Sequence, residues 1–386
     1  MNWFIWKSRM NDFYQIILTL SILLFSFLFF FFLFVRNKKD IILVFLIFFW
    51  HTFFSIFYYW YSLFNTADAT LYYKYSFSNN LEIYPGTKAL IYLTSLFSKG
   101  LDASYLNTTL FYNFFGTFGI FLFYFSLKKY LNNLSWYWKL IIFIPSMSFW
   151  SAGLGKDAIS FFSICLFLYT LSSNNKIYIF LPISFFIMFI VRPHIALMMI
   201  VSFVIYFIIR SKVHILFKVI TLPIIVASIT FSSSFVQQYI GLEEASIDSV
   251  SSYVEQRQGY NQSGGSSIDL QSMSYPMQIF TYIFRPLPFD AHSTLALFTS
   301  IENTILLFLF IYILFISKFR LYSFVEGKNT WLLIYAFLTC SMLAITTANL
   351  GIATRQKWMF MPIFIYLLIY AFYRYKHNQY AISIKK

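Results

Sequence analysis

Long apolar runs alternate with short polar breaks from one end of the chain to the other. The runs lie at about 14–35, 41–63, 103–127, 139–154, 157–172, 177–191, 193–210, 215–237, 291–317, 330–349 and 358–373. An α-helix needs about 20 apolar residues to cross roughly 30 Å of hydrocarbon. The pattern therefore predicts an all-α polytopic integral membrane protein with about eleven transmembrane helices. Two shorter pieces, 89–98 and 277–284, are predicted as interfacial or re-entrant helices. Apolar and polar residues do not alternate in repeated segments of about ten, which argues against an outer-membrane barrel. No internal repeat of the transporter kind is visible, so residues 1–386 are expected to form a single transmembrane domain.

Composition agrees. The 386 residues are 59% hydrophobic and only 11% charged, whereas soluble domains carry about 25% charged residues. The formal charge of +14 does not point to nucleic acid, because the basic residues are scattered between apolar runs and form no stripe. They orient the chain instead. Arg36–Lys39, Lys128, Lys129, Lys139, Lys176, Arg210, Lys212, Lys218, Lys318, Arg320, Lys328 and the tail beyond Arg374 fall in alternate breaks with Asp40 and Glu326 as their only acids. Those breaks are expected to be cytoplasmic, with the C-terminus inside and the N-terminus outside. Segments 65–102 and 236–291 become two enlarged outer loops, the second with a mobile Ser/Gly/Gln-rich middle near 261–267. The first run is followed by RNKKD and lacks a small-residue cleavage site, so it is expected to be retained. Cys165 and Cys340 lie inside runs and make no metal or disulfide pattern.

The outer breaks also hold ionisable residues, each set between apolar runs. Asp68 stands in FNTADATLYYKY. Lys156 and Asp157 stand in PSMSFWSAGLGKDAIS, where Pro145, Gly153 and Gly155 let one long apolar run reverse. Arg192 and His194 stand in FIVRPHIAL, Arg285, Asp290 and His292 in YIFRPLPFDAHSTL, and Arg355 and Lys357 in GIATRQKWMF. Glu302 lies within the ninth run. Ionisable groups at membrane depth are costly and face a cavity or a partner. Proline fixes its own φ and biases the preceding residue towards extended backbone, so each Arg-Pro holds a guanidinium at a helix end. Arginine's fork of donors matches phosphate oxygens. Arg192, Arg285, Arg355, Lys156 and Lys357 are therefore the candidates to bind a diphosphate. Asp68, Asp157 and His194 are the candidates for a general base, with Asp290, His292 and Glu302 in support. The bland alternatives are snorkelling arginines, helix caps, ordinary ion pairs and, for the many tyrosines, an interfacial belt. Five separate outer turns share one chemistry, which favours a site.

PSMSFWSAGLGKD and FRPLPFDAH, with the run pattern and the two enlarged outer loops, resemble the Wzy-type oligosaccharide repeat-unit polymerases of bacterial surface polysaccharides. The family's Arg-x10-Gly pattern is absent: Phe203, Ile268 and Ala296 stand eleven residues after Arg192, Arg257 and Arg285. The resemblance implies a fold similar to large polytopic glycosyltransferases of the GT-C-like kind. It implies a glycosyltransferase that polymerises undecaprenyl-diphosphate-linked repeat units at the outer face of the bacterial inner membrane. Its partners would be that lipid-linked oligosaccharide, membrane lipid and a chain-length regulator. No DxD pair and no Gly-rich phosphate loop is present, so neither cofactor nor metal is expected. The competing readings are a transferase adding a single sugar, a flippase of lipid-linked glycans, and a membrane acyltransferase. The last lacks a His-x4-Asp pattern at His194, where Met199 takes the fifth place.

Overall fold

The computed structural model describes residues 13–65, 67–173, 177–210, 266–319 and 321–383, together with 214, 223, 252, 254–256, 258 and 259. The run expected at 215–237, Arg257 and the Ser/Gly-rich stretch at 261–265 lie outside the described residues. The chain divides into two compact units, one of residues 1–125 and 139–192, the other of 126–138 and 193–386.

The first unit begins with α1 (Phe13–Phe34) and α2 (Lys38–Phe64). The segment expected as an enlarged outer loop folds into α3 (Asp68–Tyr75) and α4 (Thr87–Ser98), the latter where a short helix is expected at 89–98. These two pack on each other, and Leu90, Tyr72 and Tyr73 join the aromatic core with Tyr58, Tyr59, Tyr105, Tyr112 and Phe149. Tyr73 donates its hydroxyl to Ala103 O at 3.0 Å, so this tyrosine is a core residue. α5 (Tyr105–Leu131) starts here and ends in the second unit. α1 is held at its first turn: Gln15 Nε2 donates to Asp102 O, and its Oε1 accepts from Ser104 N and Asn107 Nδ2.

The apolar run at 139–154 is not one spanning helix. Pro145 lacks an N–H and pushes the residue before it out of helical backbone, and Ile144 is extended at φ −60°, ψ 119°. A 3₁₀ stretch (Trp136–Phe143) therefore ends there, and α6 (Pro145–Ser151) restarts on the proline. The reversal continues through Gly153, where a Cβ would lie 2.4 Å from the Tyr58 ring. α7 (Lys156–Ser173) opens on two charged residues and is buried almost all round. α8 (Ile177–Val191) follows and packs along it.

In the second unit α9 (Pro193–Arg210) starts on a proline, whose missing N–H costs nothing at that position. α10 (Tyr275–Phe284), α11 (Thr294–Ile316), α12 (Asn329–Thr346), α13 (Leu350–Gln356) and α14 (Met361–Ser383) follow. Trp331 fixes α9 to α12, donating to Ser202 Oγ at 3.1 Å and stacking on Tyr206. Part of the segment expected as the second outer loop is tied down too: Ile268 N donates to Ala348 O and Leu350 N to Ser266 O.

Among the described residues six helices are long and apolar enough to cross a membrane: α1, α2, α5, α9, α11 and α12. α13 and α14 meet at a bend of 64° and add a seventh if they form one broken span. By helix length and apolarity this is an all-α, multi-pass membrane protein. Among the described residues eleven spans are not shown: 139–154 is broken at Pro145, α7 carries charge at its start, and α8 is only 15 residues long.

Candidate functional site

The described residues hold two Arg-Pro turns, Arg192-Pro193 where the first unit ends and Arg285-Pro286 within the second unit, and in each the arginine meets an aspartate. In the first unit Arg192 closes α8, its N–H bonded to Met188 O at 2.7 Å. Its Nη2 donates to Asp157 Oδ1, at the start of α7, at 2.5 Å. The two side chains are only 8% and 11% exposed, and Arg192 Nε is buried without a hydrogen-bond partner. Burial of this kind is costly unless both charges stay together. The neighbouring Lys156 extends to Thr87 Oγ1, at the start of α4, at 2.7 Å. The turn before α4 lies alongside, with Gly86 N donating to Ile190 O at 2.7 Å. So Lys156 and Asp157 bind two different elements, α4 and the end of α8.

In the second unit Arg285 ends α10 in extended backbone, φ −93° and ψ 153°, as a residue before proline should. Its guanidinium grips Asp290 with two bonds, Nε to Oδ2 at 2.9 Å and Nη2 to Oδ1 at 2.6 Å. Leu287 N adds a third to Oδ2 at 2.8 Å. The bond from Arg285 holds the Asp290 carboxyl below the usual carboxylate range, against burial, and the charge of His292 helps. Asp290 raises Arg285 in turn. Arg285 remains 19% exposed, and Asp290 occupies only two of its five N–H donors.

Lys357 lies in the elbow between α13 and α14 and has no exposed surface. Its ammonium donates to Asn303 Oδ1 on α11, and the charge of Glu302, the preceding residue, acts on it. Asn303 Nδ2 donates onward to Pro286 O at 3.0 Å. The structure therefore brings together Asp157 with Arg192, Arg285 with Asp290 and His292, and Lys357 with Glu302. Asp68, exposed at the start of α3, faces the positive end of that helix. His194 is half-buried in the first turn of α9, and Arg355 half-buried in the last turn of α13.

Two polar residues passed over in the sequence prove central. Asn303 was masked by its charged neighbour Glu302. His51, on α2, is wholly buried between Thr117 (2.8 Å from Nδ1) and Ser151 (2.9 Å from Nε2). Ser151 Oγ also donates to Met147 O and Thr117 Oγ1 to Asn113 Oδ1, so the imidazole is set within a chain of hydroxyls. A Ser–His contact is nucleophile geometry, but a Cβ at Gly116 would sit 2.0 Å from Ser151 O and 2.7 Å from the imidazole. No room is left for a substrate; this is a packed clasp joining α2, α5 and α6.

Among the described residues no three His, Cys, Asp or Glu side chains are grouped to hold a metal ion, and both cysteines are free and buried. Comparison with protein families, with characterised proteins and with solved structures finds no match to this chain.

Proposed function

We propose that this protein polymerises lipid-diphosphate-linked oligosaccharide repeat units at the outer face of the bacterial plasma membrane, with its C-terminus cytoplasmic. The observation that carries this reading is the partly open guanidinium of Arg285, set at an Arg-Pro turn and braced by Asp290. A polymerase must hold lipid diphosphates, and this turn offers a guanidinium suited to phosphate oxygens. Arg285 is braced yet partly open, so it is assigned to diphosphate binding. In that role it stabilises the negative charge of the leaving group. Lys156 and Arg355 are assigned the same chemistry; Arg192, nearly sealed against Asp157, is assigned to the fold instead. The acceptor hydroxyl gives its proton to Asp68 or His194 as the bond to the donor's anomeric carbon forms and the lipid diphosphate departs. Asp157, committed to Arg192, is the weakest of the three candidate bases.

A second reading, a flippase of lipid-linked glycans, is favoured by one feature. α13 and α14 form a broken helix with Lys357 at the break and Glu302 acting on it, and transporters place their sites at such breaks. Deleting the protein and resolving surface polysaccharide by electrophoresis tests both. A polymerase leaves single repeats at the cell surface. A flippase leaves repeats on the cytoplasmic leaflet, and a single-sugar transferase shifts every band slightly. Arg285→Ala should abolish long chains while protein levels hold; normal chain length in that variant would remove the clamp.

A further inference from the structure

We infer that Lys357 is a positioning residue for Arg285, acting through Asn303. Among the described residues Lys357 is the most deeply buried charge of the second unit, and a side chain without exposed surface does not meet a ligand directly. An ammonium only donates, so it takes Asn303 Oδ1, and that choice turns the amide N–H groups away from it. They meet Pro286 O, which only accepts. The amide orientation is thereby fixed at both ends. Pro286 directly follows Arg285, whose own N–H is bonded to Thr281 O at 3.0 Å. The backbone of the Arg-Pro turn is thus held from α10 on one side and from the elbow on the other.

The elbow is itself anchored. Thr347 Oγ1 donates to Gln356 Oε1 at 3.2 Å, Tyr335 OH to Met359 O at 2.9 Å, and Tyr282 stacks on Phe360 at 6.1 Å. Lys357 transmits this rigidity to the turn that presents the guanidinium. The role rests on the reading of Arg285 as a diphosphate contact.

The test uses full-length protein replacing the native copy in cells. Asn303→Asp keeps an acceptor for Lys357 but loses the N–H that holds Pro286; Lys357→Gln keeps a donor for Asn303 while losing the charge; Lys357→Met loses both. Two readouts are taken: polysaccharide chain length, and the rate at which a thiol at Phe289→Cys is labelled. Phe289 is 77% exposed and adjoins Asp290, and the two native cysteines are buried. Positioning predicts short chains and several-fold faster labelling in Asn303→Asp and Lys357→Met, with Lys357→Gln close to wild type. Adding Asn303→Asp to Arg285→Ala should then worsen chain length no further. Wild-type behaviour of Asn303→Asp, or equal behaviour of the Gln and Met variants, overturns the inference. Should Arg285→Ala leave chains normal, the polymerase clamp fails, and the labelling rates alone still decide whether the latch exists.

Discussion

Arg192 and Arg285 each close a helix, precede a proline and face an aspartate, yet the first pair joins residues 35 apart and the second residues five apart. The long-range pair ties α7 to the end of α8 and is nearly sealed from solvent. The local pair is contained within a single turn, is bidentate, and leaves its arginine more open. A sealed pair serves the fold: breaking one side strands a charge. A local pair lets a cation be stiff and still reach a ligand, because its counter-ion travels with it. The same dipeptide thus works as a tertiary fastener at Arg192 and as a presented group at Arg285.

The contrast is sharpest under mutation. Asp157→Ala or Arg192→Ala should each cost about 3–5 kcal/mol, since one buried charge is left uncompensated, while replacing both with Leu and Met should recover most of it. Thermal unfolding of the purified protein in detergent measures this, and a loss under about 1 kcal/mol would place the pair among exposed ones. Next come the two glycines of the reversal that positions Asp157. Gly153→Ala drives a methyl into Tyr58 and should cost about 1–3 kcal/mol. Gly155→Ala meets nothing within 4 Å and should be silent; equal costs would mean the reversal is not packed as described. A subtler effect is expected at the second turn. Asp290 titrates below its ordinary value near 4, so the pair is complete above that value and is lost as pH falls through the lower folded one. Labelling at Phe289→Cys, taken relative to a small model thiol at each pH because the thiolate is the reactive form, should stay flat from about pH 8 to 5 and rise only in stronger acid; a relative rise near neutrality would sink the assignment. The smallest effect is set by Lys88 and Glu82, an exposed pair at 2.5 Å beside the first turn. Lys88→Ala should change neither unfolding nor chain length, because solvent screens such pairs.

Long, uninterrupted spans were legible in the sequence to within a few residues: α1, α2, α5, α9, α11 and α12 lie where apolar runs place them. What misled was apolarity without continuity. The run at 139–154 is as greasy as the rest, but Pro145 divides it: the second half, α6, is buried in the first unit, while Leu140 in the first half is exposed. In the candidate site, Arg285 and Asp290 were visible as neighbours because one turn contains both. Asp157 and Arg192 were each visible and their pairing was not, since nothing local in either segment names the other. Asn303 and His51 carry little signal in one chain: a neutral amide beside a glutamate, and a histidine whose partners are a serine and a threonine scattered through apolar runs.

The clasp at Gln15 has a consequence for how the protein is made. Its three partners lie at 102–107, about ninety residues downstream. At synthesis rates of roughly 5–20 residues per second, α1 enters the bilayer several seconds before they exist. During that interval the amide must be satisfied by something else, and its place in the first turn keeps it near the hydrated edge of the membrane. α1 is also the most exposed of the six long helices. It enters as an independent segment and is captured late, so the order of assembly is written into where one glutamine stands.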